Sequence, residues 1–265
     1  MKQFEPRVSK IISKDNKLYR DCIKLSQKKY RDSFGAMLVE GENLVSEAVA
    51  LGKAVLILYD EKVSLPDEYR DVPSVAVKSS LFTRLTDTKN DQGIVCVVER
   101  PKKEKTRFFR VAGAAGTNIL ILDRLQDPGN AGTLVRTAEA AGYAGIITVK
   151  GSADLFSPKV VRAAAGSILR VPVYEAEDAS EVAEMAAVMR KRLVATVPAG
   201  GVMMDEADLE SDICLIVGNE GNGISEELLE LADEAVMIPM MGEVESLNAA
   251  VAAAVIMYRS IGSRK

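Results

Sequence analysis

The chain has no histidine and no tryptophan, and only three cysteines. Without histidine, neither a Ser-His-Asp nor a Cys-His catalytic arrangement can be built, and the commonest metal ligand and general base is missing. Any catalysis must use carboxylates, lysine, tyrosine, arginine, amides or the positioning of reactants. Cys22, Cys96 and Cys214 are odd in number and far apart, which argues against a disulfide framework and against a zinc cluster. Free buried thiols are expected instead. No apolar run is long enough to span a bilayer. The charged N-terminal stretch lacks a signal-peptide apolar core, so a cytoplasmic protein is expected.

What is present is a 265-residue chain, 48% hydrophobic, with enough apolar content for one large domain or two smaller ones. Its net charge of −4 conceals an asymmetry. Residues 1–110 hold 22 Lys and Arg against 16 Asp and Glu, whereas residues 111–265 hold 12 against 22. The first 31 residues alone hold 10 basic and 3 acidic side chains. A basic arm on an acidic protein is a candidate footprint for a polyanion such as nucleic acid. A solvated amphipathic helix accounts for the same charge equally well.

Periodicity predicts a helical region over residues 9–31, then short strands and helices ending in an apolar strand at 93–98, which together make a small α/β domain. Residues 99–110, ERPKKEKTRFFR, are charged, contain Pro101 and read as a linker. From residue 118 the alternation becomes regular. Strands are predicted at 119–122, 146–149, 193–197, 213–217 and 235–238, with an extended stretch at 169–174 whose Pro172 suits an edge strand. Helices intervene, and such alternation indicates a parallel, helix-flanked sheet.

The stretch 213–248 organises this half. The apolar run ICLIV stops at GNEGNG, residues 218–223, where glycines allow close backbone approach. Ser225 is placed to cap a short helix. A further strand ends at Pro239, and a loop leads to Ser246-Leu247-Asn248 before the last helix. In a parallel sheet these loops gather at the carboxyl ends of the strands, where ligands bind. The glycine spacing is neither the dinucleotide fingerprint nor a Walker loop, so a nucleotide-dependent oxidoreductase is disfavoured. Taken alone, each segment could equally be a structural turn or a tightly packed helix.

Three segments in order resemble the SpoU (TrmH-like) family of RNA ribose 2′-O-methyltransferases, of the SPOUT class. They are LDRLQDPGNAGTLVRTAEAAG (122–142), LIVGNEGNGIS (215–225) and MIPMMGEVESLNAAVAAAVIMY (237–258). The connecting FSPKVVRAAAGSILRVPV (156–173) is also similar, although Ala164 stands where many relatives carry Ser. Residues 1–98 resemble the small RNA-recognition domain that many members carry in front.

The resemblance implies an α/β fold: a parallel sheet flanked by helices with a C-terminal trefoil knot over residues 112–265, a linker at 99–111, and the small N-terminal domain at 1–98. It implies S-adenosylmethionine as cofactor, with no metal. The cofactor would be held by Gly218, Ile238 and Leu247, largely through the backbone, with Asn219 and Gly223 in the same glycine loop. The turn 196–201, beginning at Thr196, is another candidate wall. Met240 and Met241 are candidates for an adenine pocket or for the core. The family's functional positions fall on Asn130, Arg136, Glu220, Ser246 and Asn248, and Arg162 is implied to touch phosphate. A guanidinium seldom accepts a proton, so holding phosphate or stabilising an alkoxide suits Arg136 better than acting as base. The expected activity is 2′-O-methylation of structured RNA, ribosomal RNA before transfer RNA, by a homodimer. The rival expectation is a non-catalytic RNA-binding protein on the same fold.

Overall fold

The computed structural model describes residues 2–88, 91–101 and 104–261. It forms two compact units, Met1–Lys102 with Phe156–Leu169, and Lys103–Leu155 with Arg170–Lys265.

The N-terminal part runs β1 (Lys10–Ile11), α1 (Lys17–Lys24), α2 (Lys28–Phe34), β2 (Ala36–Glu40), α3 (Glu42–Ala50), β3 (Ala54–Asp60), β4 (Ser74–Val77), α4 (Ser79–Phe82) and β5 (Ile94–Glu99). Among the described residues these strands form a mixed sheet in the order β1-β4-β3-β5-β2, with β5 antiparallel to both neighbours. Leu56, Leu58, Val75, Val77, Val95 and Val97 face a core closed by Phe4, Leu25 and Phe82.

The expected single helical region at 9–31 is instead a short strand and two helices. Ile11 is fully buried opposite Val77 in the sheet, while Ile12 is exposed. The helix starts later, where Asn16 Oδ1 accepts the Tyr19 amide at 3.1 Å. Two adjacent isoleucines fit either periodicity, so the apolar pattern could not separate strand from helix.

The remainder runs α5 (Lys105–Ala112), β6 (Ile119–Leu122), α6 (Pro128–Ala140), β7 (Gly145–Val149), α7 (Pro158–Ala163), β8 (Val173–Ala176), α8 (Ala179–Met189), β9 (Arg192–Thr196), β10 (Val202–Met203), β11 (Ile213–Val217), α9 (Glu226–Leu231), β12 (Glu234–Met237) and α10 (Ala249–Arg259). The second sheet is parallel throughout, in the order β10-β12-β9-β11-β6-β7-β8. β8 lies at an edge, as Pro172 required. The central strands β6, β7 and β11 are buried along their whole length, which is why they read as unbroken apolar runs.

The predicted linker needs correction. β5 extends to Glu99, and residues 105–112 are a helix whose Phe108 and Ala112 enter the core of the second unit. An apolar i, i+4 pair buries one face; the surrounding lysines and arginines dominated the composition. Lys105 pairs with Glu181 at 3.1 Å and Glu184 at 2.9 Å.

Residues 156–169 lie inside the C-terminal segment in sequence but pack with the first unit. α7 lies against β2. Arg162 is engaged by Asp87 at 2.8 Å and Glu40 at 3.7 Å, so its charge is answered by carboxylates. Arg100 sits 4.3 Å over the Phe156 ring and pairs with Asp32. Ala164 is fully buried. All three cysteines are free and buried, and burial pushes the thiols of Cys96 and Cys214 up to about 12.

Lys191 ties together the segments entering β6, β9 and β11. Its side chain is fully buried, and Nζ donates to Ala114 O at 3.0 Å, Thr117 O at 2.6 Å and Asp212 Oδ1 at 3.2 Å. Burial pushes the Asp212 carboxyl up, but hydrogen bonds from Gly116 and Lys191 outweigh it and hold the group below its ordinary value. A depressed carboxylate stabilises the fold above its unfolded pKa, and that stability is lost as pH falls through the folded value. Lys191→Met should cost ~1–3 kcal/mol, the scale for leaving the Ala114 and Thr117 carbonyls without their buried donor, because the partly exposed Asp212 can be rehydrated. Denaturant unfolding at several pH values should also show part of the acid destabilisation disappearing in the variant.

Candidate active site

The parallel sheet delivers four strand ends to one place. β6 leads into Asp123, β9 into Val197-Pro198, β11 into the 218–223 loop, and β12 into the 238–248 loop. Between the last three lies a cavity of about 540 Å³. That is within the span of roughly 300–1,000 Å³ typical of cavities for small-molecule ligands. Thr196, Gly218, Asn219, Gly223, Ile238, Met240 and Leu247 all line it, as do Glu220, Ser246 and Asn248. Met241 does not; it is exposed to solvent. β12 stops at Met237, so Ile238 lies just beyond the strand rather than ending it.

The glycine loop owes its shape to backbone contact. A Cβ on Gly218 would stand 2.3 Å from Gly223 C and Ile224 N, which no side chain can do without moving the loop. Asn219 and Gly223 exchange two backbone hydrogen bonds at 2.9 Å each, with Gly223 at φ +69°. Asn219 Oδ1 also accepts the amides of Gly221 at 2.9 Å and Asn222 at 3.0 Å, while its Nδ2 donates to Arg124 O at 2.9 Å. The loop is therefore closed on itself and stitched to the end of β6. Thr196 Oγ1 donates to Ile216 O at 2.8 Å, which ties the end of β9 to β11 beside the cavity.

Beside the cavity runs a side-chain relay. Glu220 accepts the backbone amides of Gln126 at 3.3 Å and Asp127 at 3.2 Å, and Asn130 Nδ2 at 3.0 Å. Asn248 Nδ2 donates to Asn130 Oδ1 at 3.1 Å, while Asn248 Oδ1 caps α10 by accepting the amides of Ala250 and Val251. The polarity is fixed at both ends. A carboxylate only accepts and backbone amides only donate, so both asparagines have one satisfactory orientation. Burial pushes the Glu220 carboxyl up, but the bonds from Asn130 and the backbone amides prevail and hold it below the usual range. It is an ionised acceptor at neutral pH.

Asn130 belongs to the first turn of α6, where Asp127 Oδ1 accepts the Asn130 amide at 2.7 Å and Pro128 opens the helix. Arg136 lies six residues on, about 120° around the helix from Asn130 at 3.6 residues per turn. It is exposed and does not line the cavity. Among the described residues it has no ion pair or side-chain hydrogen bond.

The turn 196–201 contributes Val197 and Pro198 to the lining, but the sequence reading missed three further apolar walls, Val217, Ala252 and Ile256. Val217 and Ile256 look like ordinary core residues, and the small residues of α10 signalled close packing without showing what they face.

Comparison with known proteins agrees with this geometry. Residues 117–258 match the SpoU rRNA Methylase family, and residues 16–96 match the MRM3-like substrate binding domain. The chain is 34% identical to the 23S rRNA (guanosine(2553)-2′-O)-methyltransferase RlmP of Bacillus subtilis, over 96% of this chain and all of that one. It is 30% identical to the 23S rRNA (uridine(2479)-2′-O)-methyltransferase of Streptomyces viridochromogenes, over 98% of this chain and 94% of the relative. Its fold superposes with a TM-score of 0.85 on the SpoU methyltransferase AviRb from the same organism, solved in complex with AdoMet; identity is 29%, covering 94% of this chain and 98% of that one. With more than half of its length matched by that family model and a relative of 34% identity aligned along nearly the whole chain, this chain belongs to the SpoU rRNA methylase family.

Proposed function

We propose that this protein transfers a methyl group from S-adenosylmethionine to a ribose 2′-oxygen in structured RNA, with ribosomal RNA as the substrate class. The observation that carries the reading is the cavity: of the residues assigned to the cofactor from sequence, all but Met241 line it, beside the Glu220–Asn130–Asn248 relay. The preference for ribosomal over transfer RNA rests on relatives named as 23S rRNA methyltransferases that align along nearly the whole chain, N-terminal domain included.

The residues present fit the cofactor. Gly218 leaves backbone where a side chain would intrude, Ile238 and Leu247 sit on the facing loop, and Thr196 and Met240 complete the wall. When bound, S-adenosylmethionine supplies an electrophilic methyl group and leaves as S-adenosylhomocysteine. The chain's task is to hold a poor nucleophile in line and to stabilise the charge that develops as its proton departs. Glu220, Asn130 and Asn248 form a rigid polar edge to the cavity, and Ser246 adds a free hydroxyl there. Arg136 keeps its fork of donors for a phosphate or the developing alkoxide.

Arg136 lies on the outer face of α6, and this bears on assembly. α10 packs on α6 and exposes Val251, Val255 and Tyr258 at i, i+4 and i+7, an apolar stripe that suits a second copy. We read the protein as a cytoplasmic homodimer in which Arg136 completes the site of the partner. The trefoil knot belongs to the same proposal: β12 pairs with β9 rather than β11, and α10 returns to α6, both suited to a threaded C-terminal segment.

Arg136→Ala should retain S-adenosylmethionine binding by calorimetry while methyl transfer falls roughly 10²–10³-fold, the scale for losing one charge-stabilising donor. Mixing it with Gly218→Ala, which displaces the loop lining its own cavity but keeps Arg136, should restore transfer that neither variant shows alone. No recovery would place Arg136 in its own chain's site or outside the chemistry. Because Glu220 works ionised and its pKa is depressed, the rate should fall only when acid protonates it. Glu220→Gln should remove that acidic limb from the pH–rate profile at a lower plateau.

A further inference from the structure

The first unit carries a second concave feature, remote in sequence from the motifs above. Tyr19 of α1 is buried, and its hydroxyl donates to Leu81 O in α4 at 2.9 Å, which fixes the two helices against each other. Along this seam lies a cleft of about 360 Å³. Lys14, Arg20, Lys24 and Arg84 line it, and Asp15 is the acidic member of its lining.

The cleft's positive charge is largely unspent. Lys24 is held by Asp21 at 2.9 Å, and Asp21 is shared with Lys17 at 3.1 Å. Lys14, Arg20 and Arg84 are exposed and, among the described residues, have no ion pair and no side-chain hydrogen bond. Elsewhere in the same unit Lys10, Arg70 and Arg162 each answer a carboxylate. Lys17, Arg20 and Lys24 also share one face of α1, at i, i+3 and i+7.

Two guanidinium forks and a lysine around a hollow of this size match the oxygens of a phosphodiester, because arginine binds phosphate in a planar, two-bond geometry. A concavity with four basic side chains against one acidic one also focuses the field that draws a polyanion in. We propose that this cleft is a phosphate-binding subsite for the RNA substrate, with Arg20 and Arg84 as its principal contacts. The proposal rests on the reading of the chain as an RNA methyltransferase and assigns that reading's RNA affinity to named residues.

The test uses the full chain and an unmodified transcript of 23S ribosomal RNA in filter binding across a salt series. Arg20→Gln with Arg84→Gln should weaken binding about tenfold or more and flatten the log–log salt dependence by ~1.4–1.8, the worth of two phosphate contacts. Affinity for S-adenosylmethionine and Tm should not change. Arg20→Lys with Arg84→Lys keeps both charges and should recover most of the slope. Unchanged RNA affinity and slope in the glutamine variant, with the wild-type chain methylating the transcript, overturns the cleft and leaves the enzyme reading standing. Lost binding to phosphatidylglycerol vesicles with RNA binding intact also overturns it, in favour of a membrane surface. A wild-type chain that does not bind the transcript overturns both.

Discussion

A side chain at position 218 would collide with the backbone of residues 223 and 224, and the cavity depends on that collision being avoided. With glycine there, the β11 loop folds back onto itself and leaves its peptide groups facing the space between three strand ends. The parallel sheet supplies the rest. Each crossover in a parallel sheet returns the chain to the same edge, so loops from strands distant in sequence meet without special arrangement. Within that frame, recognition by backbone and by short apolar side chains costs little ordering entropy when a ligand enters.

The polar edge of the cavity follows from the same geometry. The folded-back loop presents Glu220 to the start of α6, where the amides of Gln126 and Asp127, just before the helix, and the Asn130 side chain satisfy it. Asn130 in turn orients Asn248, which caps α10. One hydrogen-bond chain thereby links the β11 loop with the starts of two helices. The depressed pKa of Glu220 is a consequence of those donors, and it gives the chain a constant negative acceptor rather than a proton shuttle. With no histidine in the chain, positioning and charge stabilisation carry the chemistry.

Much of the second sheet was legible because its strands are buried on both faces and separated by helices with clear caps. The glycine loop and the Asp127-Pro128 helix start were readable as local backbone chemistry. Their convergence was not. That required the motif resemblance, because no local signal says that residue 130 meets residues 220 and 248. The failures have physical causes. Ile11 and Ile12 fit both periodicities, the charged side chains of α5 hid an i, i+4 buried pair, and β10 is an exposed edge of two apolar residues, too short to show a period. The packing of residues 156–169 with the N-terminal unit was invisible for a similar reason: its ties, Arg162 to Asp87 and Arg100 to Phe156, join residues more than fifty positions apart.

The central claim is that this cavity directs a methyl group onto a sugar oxygen of RNA. The most direct measurement incubates the protein with methyl-labelled S-adenosylmethionine and unmodified 23S ribosomal RNA, then digests the RNA to nucleosides for mass spectrometry. The account predicts label in a 2′-O-methyl nucleoside, at a site where the backbone resists alkaline cleavage. Label on a base, or transfer to protein with none to RNA, would contradict it.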